Sequence, residues 1–168
     1  PKDPETGEPL KDKVTVVQAL EAALKAIDGG SLKDSPLVEA GVRTTIGDTF
    51  VALGRYEESL PVLRRALEIR KANYPEGSLE IAQSLDRLAD PLSLLSDLEE
   101  AERLLREALA IRRRALPASD PSVGTAMNNL AQTLHLQGAY EEAESILRES
   151  IAIQEQASTS SDKAGLAR

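Results

Sequence analysis

Three adjacent pairs of glutamates and a single histidine are the side chains that could support acid–base chemistry in this sequence. The pairs are Glu57–Glu58, Glu99–Glu100 and Glu141–Glu142, and neighbouring carboxylates can divide the roles of general acid and general base. Each pair, however, falls in the first turn of a predicted helix, where the helix dipole stabilises negative charge. Any Ser-His-Asp triad would have to use His135, and the nucleophile motif G-x-S-x-G is absent. We therefore predict that the chain is not an enzyme.

The composition argues against most other kinds of ligand site. The chain has no cysteine, and its net charge of −8 disfavours binding to a nucleic acid backbone. The basic stretch "IRRRAL" at 111–116 ends a predicted helix, where the dipole favours cations, so we interpret it as a solvated helix end. No run of about 18 apolar residues is present, which argues against direct membrane insertion. We predict no cofactor, no metal ion and no nucleic acid partner.

The beginning of the chain indicates that more sequence precedes it. The first residue is Pro1 rather than methionine, and no signal peptide follows, so we expect an excised piece of a longer protein. The sequence leaves the cellular compartment open.

An internal repeat of 42 residues organises most of the chain. Tyr56, Leu98 and Tyr140 stand 42 residues apart in three similar stretches, "GRYEESLPVLRRALEI", "SDLEEAERLLREALAI" and "GAYEEAESILRESIAI". Small residues recur at the same period in three columns: Gly47, Ala89 and Ala131; Ser59, Ala101 and Ala143; Ala66, Ala108 and Ser150. A fixed period of this length is typical of stacked repeats, which share one continuous core.

Within each repeat the apolar residues step by three and four, which predicts helices and no strands. Breaks near Gly54, Ser96 and Gly138 divide each repeat into two antiparallel helices. Asp120 before Pro121, and Ser35 before Pro36, are expected to cap first helices. The predicted division is a flexible linker at 1–13, an N-terminal helix and loop at 14–35, three repeats within 36–156 (37–77, 79–119 and 121–156), and a tail or truncated fourth repeat at 157–168. Pro91 lies inside a predicted helix, where we expect a tolerated bend.

The repeat resembles the tetratricopeptide repeat. The stretch "MNNLAQTLHLQGAYEEAESILRESIAI" follows the family pattern, with Leu130, Ala131, Gly138, Tyr140, Ala143 and Ser150 in its signature places. The 42-residue period and "ALPASDPSVGTAMNNLA" are similar to the kinesin light chain subtype, which is also common in bacterial proteins. The resemblance implies a right-handed superhelical solenoid of antiparallel helix pairs, with about three repeats after an N-terminal helix.

The resemblance also implies where a ligand binds. In this family ligands lie on the concave surface formed by the first helix of each repeat. When equivalent positions of the repeats are compared with the family pattern, that surface would carry Thr44, Thr45, Asp48, Gln83, Asp86, Arg87, Asp90, Thr125, Asn128, Asn129, Gln132 and His135. Its three aspartates outnumber Arg87, so we expect neutral or basic peptides to be preferred over acidic ones. Solvated helix faces with no ligand are an equally weighted interpretation of the same residues.

The leading hypothesis is a non-enzymatic scaffold that binds a peptide or protein segment on its concave face. The alternative is a regulatory or sensory region of a larger enzyme, because a lone helix before "TTIGDTFVALGRYEESLPVLRRALEIR" resembles repeat regions of some bacterial membrane Ser/Thr kinases. A third hypothesis is weak self-association through the open ends of the repeat array.

Overall fold

The computed structural model describes the backbone of residues 15–165 and the side chains of residues 15–155. This part of the chain forms seven α-helices and no strand, so the all-α prediction is confirmed. The predicted linker at 1–13 lies outside the described residues. The helices are α1 Val16–Asp28, α2 Pro36–Ala52, α3 Tyr56–Asn73, α4 Leu79–Leu94, α5 Leu98–Ala115, α6 Pro121–Gln137 and α7 Tyr140–Gly165.

Successive helices form a solenoid because each apolar stripe needs a neighbour to cover it. α2 packs on α3, α4 on α5, and α6 on α7, while α3 and α5 also pack on the first helix of the next pair. α1 takes the place of a preceding second helix, since Ile27 joins Ile46, Phe50 and Val62 in a cluster with α2 and α3. The larger core runs from α3 to α7, and Leu85, Leu88, Leu92 and Met127 are among its most buried members.

The small residues repeated every 42 positions lie where paired helices approach most closely. Ser59, Ala101 and Ala143 are all buried. A Cβ atom added at Gly47 would lie only 2.5 Å from a terminal carbon of Leu63. In the last pair, the Ser150 hydroxyl donates a hydrogen bond of 3.0 Å to the Gly124 carbonyl oxygen of the facing helix. The recurring small residues therefore allow the paired helices to contact each other, as the repeat pattern predicts.

The turn within each pair uses a left-handed backbone at one fixed position. Gly54 and Gly138 have φ values of 73° and 83°, a region that glycine enters without steric cost. The middle repeat places Ser96 at the same position with φ of 64°, and Ser96 is the only non-glycine residue with positive φ in the described part of the chain. The shared conformation lets the second helix return antiparallel to the first.

The predicted helix starts are only partly confirmed. The Asp120 carboxylate accepts a hydrogen bond from the Ser122 amide at 2.9 Å, and Pro121 begins α6, as expected. Ser35 does precede a helix that starts with proline, but its side chain makes no capping hydrogen bond. Its backbone φ of −138° and ψ of 64° differ from the extended geometry that a capping side chain needs.

Pro91 is accommodated within α4, as expected, whereas α7 runs beyond its predicted end. α4 continues unbroken through Pro91, which is buried in the core only three residues before the helix ends. α7 does not stop at residue 156 but continues to Gly165. Residues 157–165 therefore extend the last helix instead of opening a fourth repeat.

The second helices are joined by a ladder of exposed ion pairs. Each pair links one second helix to the next across 36 residues of sequence, with N–O distances between 2.6 and 3.0 Å. The pairs are Arg64–Glu100, Lys71–Glu107, Arg106–Glu142 and Arg113–Glu149. This face of the solenoid consequently neutralises much of its own charge.

Candidate binding groove

The twelve predicted binding residues all lie on α2, α4 and α6, but they are not equally accessible. Eight are exposed, namely Thr45, Gln83, Arg87, Asp90, Thr125, Asn129, Gln132 and His135. Asp48, Asp86 and Asn128 are half-buried. Thr44 is buried, and its hydroxyl donates to the Ala40 carbonyl oxygen at 2.8 Å. Because its side chain is buried and bonded within α2, we remove Thr44 from the candidate site.

A cleft between α4 and α6 brings four of the predicted residues together. We call it the α4–α6 cleft, and its lining residues are Asp86, Ala89, Asp90, Ser93, Leu94, Leu105, Asn129, Gln132, Thr133 and Leu136. Asn129 and Gln132 have no side-chain hydrogen-bond partner among the described residues, so both amides are available to a ligand. Leu94 and Leu136 were not among the predicted residues, although their spacing of 42 residues is visible in the sequence. Both leucines are exposed.

The remaining predicted residues lie outside this cleft. The Thr45 and Thr125 hydroxyls donate to carbonyl oxygens of their own helices, at 3.2 and 3.1 Å. The His135 ring packs edge-on against Tyr140, with ring centroids 5.1 Å apart. This contact places the histidine ring next to the turn between α6 and α7. Within residues 15–155, His135 has no carboxylate partner.

The electrostatics of the groove differ from the sequence prediction because two aspartates are paired. Asp48 of α2 forms an ion pair with Arg87 of α4. Asp86 accepts hydrogen bonds from both terminal nitrogens of Arg112, one of them 3.2 Å long. Arg112 is only 8% exposed, so this part of "IRRRAL" is not a solvated helix end. Arg112 comes from a second helix, so it was not included when the charges of the first helices were compared.

Arg70 is a second cation that the sequence analysis did not place near the groove. It stands 42 residues before Arg112, and its guanidinium donates to the Ser84 hydroxyl at 2.7 Å. Burial lowers the pKa of Arg70, and the nearby charge of Arg87 acts in the same direction. Arg70 therefore adds positive charge next to the Asp48–Arg87 pair.

Asp90 is the groove aspartate that keeps an unpaired carboxylate. Among the described residues it has no hydrogen-bond or ion-pair partner. Partial burial in the groove raises the pKa of Asp90, and repulsion from Asp86 and Asp48 adds to the increase, while Arg87 opposes it. The structure thus concentrates the negative character of the groove at this one side chain.

The second residue of each glutamate pair, Glu58, Glu100 or Glu142, forms an ion pair with an arginine. Arg64 lowers the pKa of Glu100, chiefly through two hydrogen bonds of 2.6 Å. Glu142 pairs with Arg106. A carboxylate held as an anion, as that of Glu100 is, is a poor proton donor at neutral pH. No cluster of potential metal ligands occurs in the described residues, and no described helix is apolar over a length that could cross a membrane.

Sequence comparison identifies one protein family. Two overlapping segments, 39–114 and 80–156, match the tetratricopeptide repeat profile, and together they cover more than half of the chain. None of the curated proteins matches the chain in sequence.

Several solved structures share the fold. BtubC (BKLC) from P. vanneervenii is 22% identical, with a TM-score of 0.71, over 82% of this chain and 54% of that protein. Nearly identical TPR-like repeats from Podosopora anserina, described as a kinesin light chain, are 22% identical with a TM-score of 0.65, over 71% of this chain and 56% of that one. The TPR domain of Arabidopsis FLU is 21% identical with a TM-score of 0.64, over 72% of this chain and 98% of that domain. This chain thus spans little more than half the length of the first two.

Proposed function

The chain belongs to the tetratricopeptide repeat family, whose members serve as protein-interaction scaffolds, and we propose that it binds an extended segment of a partner protein along α2, α4 and α6. The observation that carries the proposal is the α4–α6 cleft, in which two unpaired amides face a groove edged by exposed leucines. The Asn129 and Gln132 amides each offer a donor and an acceptor, which match the polar groups of an extended backbone. Leu94 and Leu136 offer apolar contact on the same surface.

The physical advantage of such a site is preorganisation. The helices that carry the cleft are fixed by the core beneath it, where Ala89 and Leu105 form its floor. Little receptor entropy is then lost when a segment binds, and more of the contact free energy appears as affinity. We further propose a preference for neutral or basic segments over acidic ones, because Asp90 has no compensating cation of its own.

A peptide library screened against paired variants tests this function. The double variant Asn129→Ala/Gln132→Ala should weaken cleft binders at least tenfold, about 1.4 kcal/mol, since both backbone contacts are lost. Arg103→Ala, an exposed residue of α5 on the opposite face, is the matched control and should leave binding unchanged. Binders that tolerate the double variant but lose affinity with Arg103→Ala would place the interaction on the second helices and overturn the proposal.

A specific observation also favours weak self-association through α7. In the first two pairs the next repeat covers one apolar face of the second helix. Leu63 and Leu67 of α3 are 2% and 7% exposed, and Leu105 and Leu109 of α5 are 3% and 6% exposed. The corresponding residues of α7, Leu147 and Ile151, are 41% and 54% exposed. We propose that a second copy of the chain covers this face at high concentration.

Sedimentation over a range of concentrations tests the self-association. The wild-type mass should increase with concentration, and Ile151→Glu should remove the increase because it places a charge on the apolar face. Leu53→Glu, which changes a leucine that is 47% exposed at the end of α2, is the matched control and should behave as wild type. A wild-type chain that stays monomeric throughout would overturn this part of the proposal.

The alternative role, as a regulatory region of a larger enzyme such as a membrane kinase, stays a hypothesis that the flanking gene sequence tests.

A further inference from the structure

We infer that Asp90 receives the cationic end of a lysine or arginine side chain from the bound segment, while Leu94 and Leu136 cover the aliphatic stem of that side chain. This inference rests on the proposed function and assigns a ligand chemistry to the α4–α6 cleft.

The first support is the contrast between Asp90 and the other two groove aspartates. Asp48 and Asp86 are each neutralised by an arginine of the same molecule. Asp90 lies one helical turn beyond Asp86 on α4 and has no such arginine among the described residues. Partial desolvation and neighbouring negative charges raise the free energy of the ionised aspartate. A cationic side chain from the bound segment would offset that increase.

The chemistry of a carboxylate selects the ligand group. The Asp90 carboxylate only accepts hydrogen bonds, and an ammonium or guanidinium group only donates them. A cation therefore fits this side chain, whereas an anion would be repelled.

The second support is the apolar pair beside the carboxylate. Leu94 and Leu136 are both more than half exposed, and each lies in the cleft with Asp90. Lysine and arginine carry a long aliphatic stem that packs on apolar surface while the charged end remains polar. One acidic acceptor next to two leucines matches both parts of such a side chain.

Titration of the full chain with defined peptides, followed by amide chemical shifts, tests the inference. The probe is the peptide acetyl-SLAKALS-amide, compared with the same peptide carrying norleucine, which replaces the ammonium by a methyl group. We expect saturable shifts around Asp90, Leu94 and Asn129, with at least tenfold weaker binding of the norleucine peptide. Asp90→Asn should remove that difference, and Asp34→Asn, in the exposed turn before α2, is the matched control.

Asp90→Glu supplies a second variant. It keeps a carboxylate at this position, so the lysine peptide should still bind more tightly than the norleucine peptide. Equal binding of both peptides in the cleft, insensitive to Asp90→Asn, would overturn the cation site and leave the proposed function standing. Shifts confined to α3, α5 and α7 would overturn both. Absence of saturable shifts with the lysine peptide would overturn the cation site.

Discussion

The guanidinium of Arg112 in α5 and the carboxylate of Asp86 in α4 form a bidentate ion pair that lies half-buried beneath the groove. The two residues are 26 positions apart in sequence, yet they belong to the same helix pair. Their contact holds the first helix to the second and offsets one negative charge of the groove. Asp86 is accordingly a structural residue, whereas Asp90, one turn later, is available to a ligand.

Replacement of Asp86 should destabilise the fold. Asp86→Ala leaves the Arg112 guanidinium largely buried without its partner, and we expect a loss of about 2–3 kcal/mol in the free energy of unfolding. Asp90→Ala, on the same helix but without an ion pair, is the matched control and should cost no stability. Urea unfolding measures both variants, and equal midpoints for Asp86→Ala and wild type would contradict the structural role of the pair.

Replacement of Ser96 should stabilise the fold. Ser96 has φ of 64°, while the equivalent turns use Gly54 and Gly138, so Ser96→Gly relieves a strained backbone and should add about 0.5–1 kcal/mol. The reciprocal change, Gly54→Ser, should destabilise by a similar amount. Thermal unfolding of the two variants provides the measurement, and a lower midpoint for Ser96→Gly would show that its side chain matters more than its backbone.

Overpacking one helix crossing should destabilise the fold without changing its charge. Ala101 is fully buried where α5 meets α4, and Ala101→Leu should cost about 1–3 kcal/mol because the helices must separate. Ala110→Leu places the same side chain on an exposed position of α5 and should be nearly neutral. If chemical denaturation gives the two variants equal stability, the small residues that recur every 42 positions are not packing sites.

Neutralising Asp90 should stabilise the free protein in a pH-dependent way. The folded state raises the pKa of Asp90 above its unfolded value of about 4, so ionised Asp90 lowers stability. The penalty is absent below the unfolded pKa, develops as pH rises through the folded pKa, and is complete above it. Asp90→Asn should therefore melt higher than wild type at pH 7, and this advantage should shrink as pH falls toward about 4.

Melting curves collected at several pH values with matched ionic strength measure this effect. Asp34→Asn is again the control, because Asp34 lies in an exposed turn. An Asp90→Asn variant that is less stable than wild type at pH 7 would indicate that the carboxylate has a favourable partner in the free protein.

Sequence periodicity was sufficient to identify the helices and their pairing. The columns that contain Ala101 and Leu105 recur every 42 residues, and both residues are buried, because a repeat that lacks a core of its own must place the same side chains against each neighbour. The turn positions followed from the same period, including Ser96, which takes the conformation of the glycines it replaces. These features depend on local spacing, which a sequence displays directly.

The chemistry of the groove was decided by the tertiary structure. The sequence shows Asp86 and Asp90 as equivalent acidic residues on one helix, but only the packing of α5 brings Arg112 to the first and leaves the second unpaired. The choice between the two depends on distances of a few ångströms between side chains that are distant in sequence. Ion pairing and burial change steeply over such distances, whereas the 42-residue pattern stays the same.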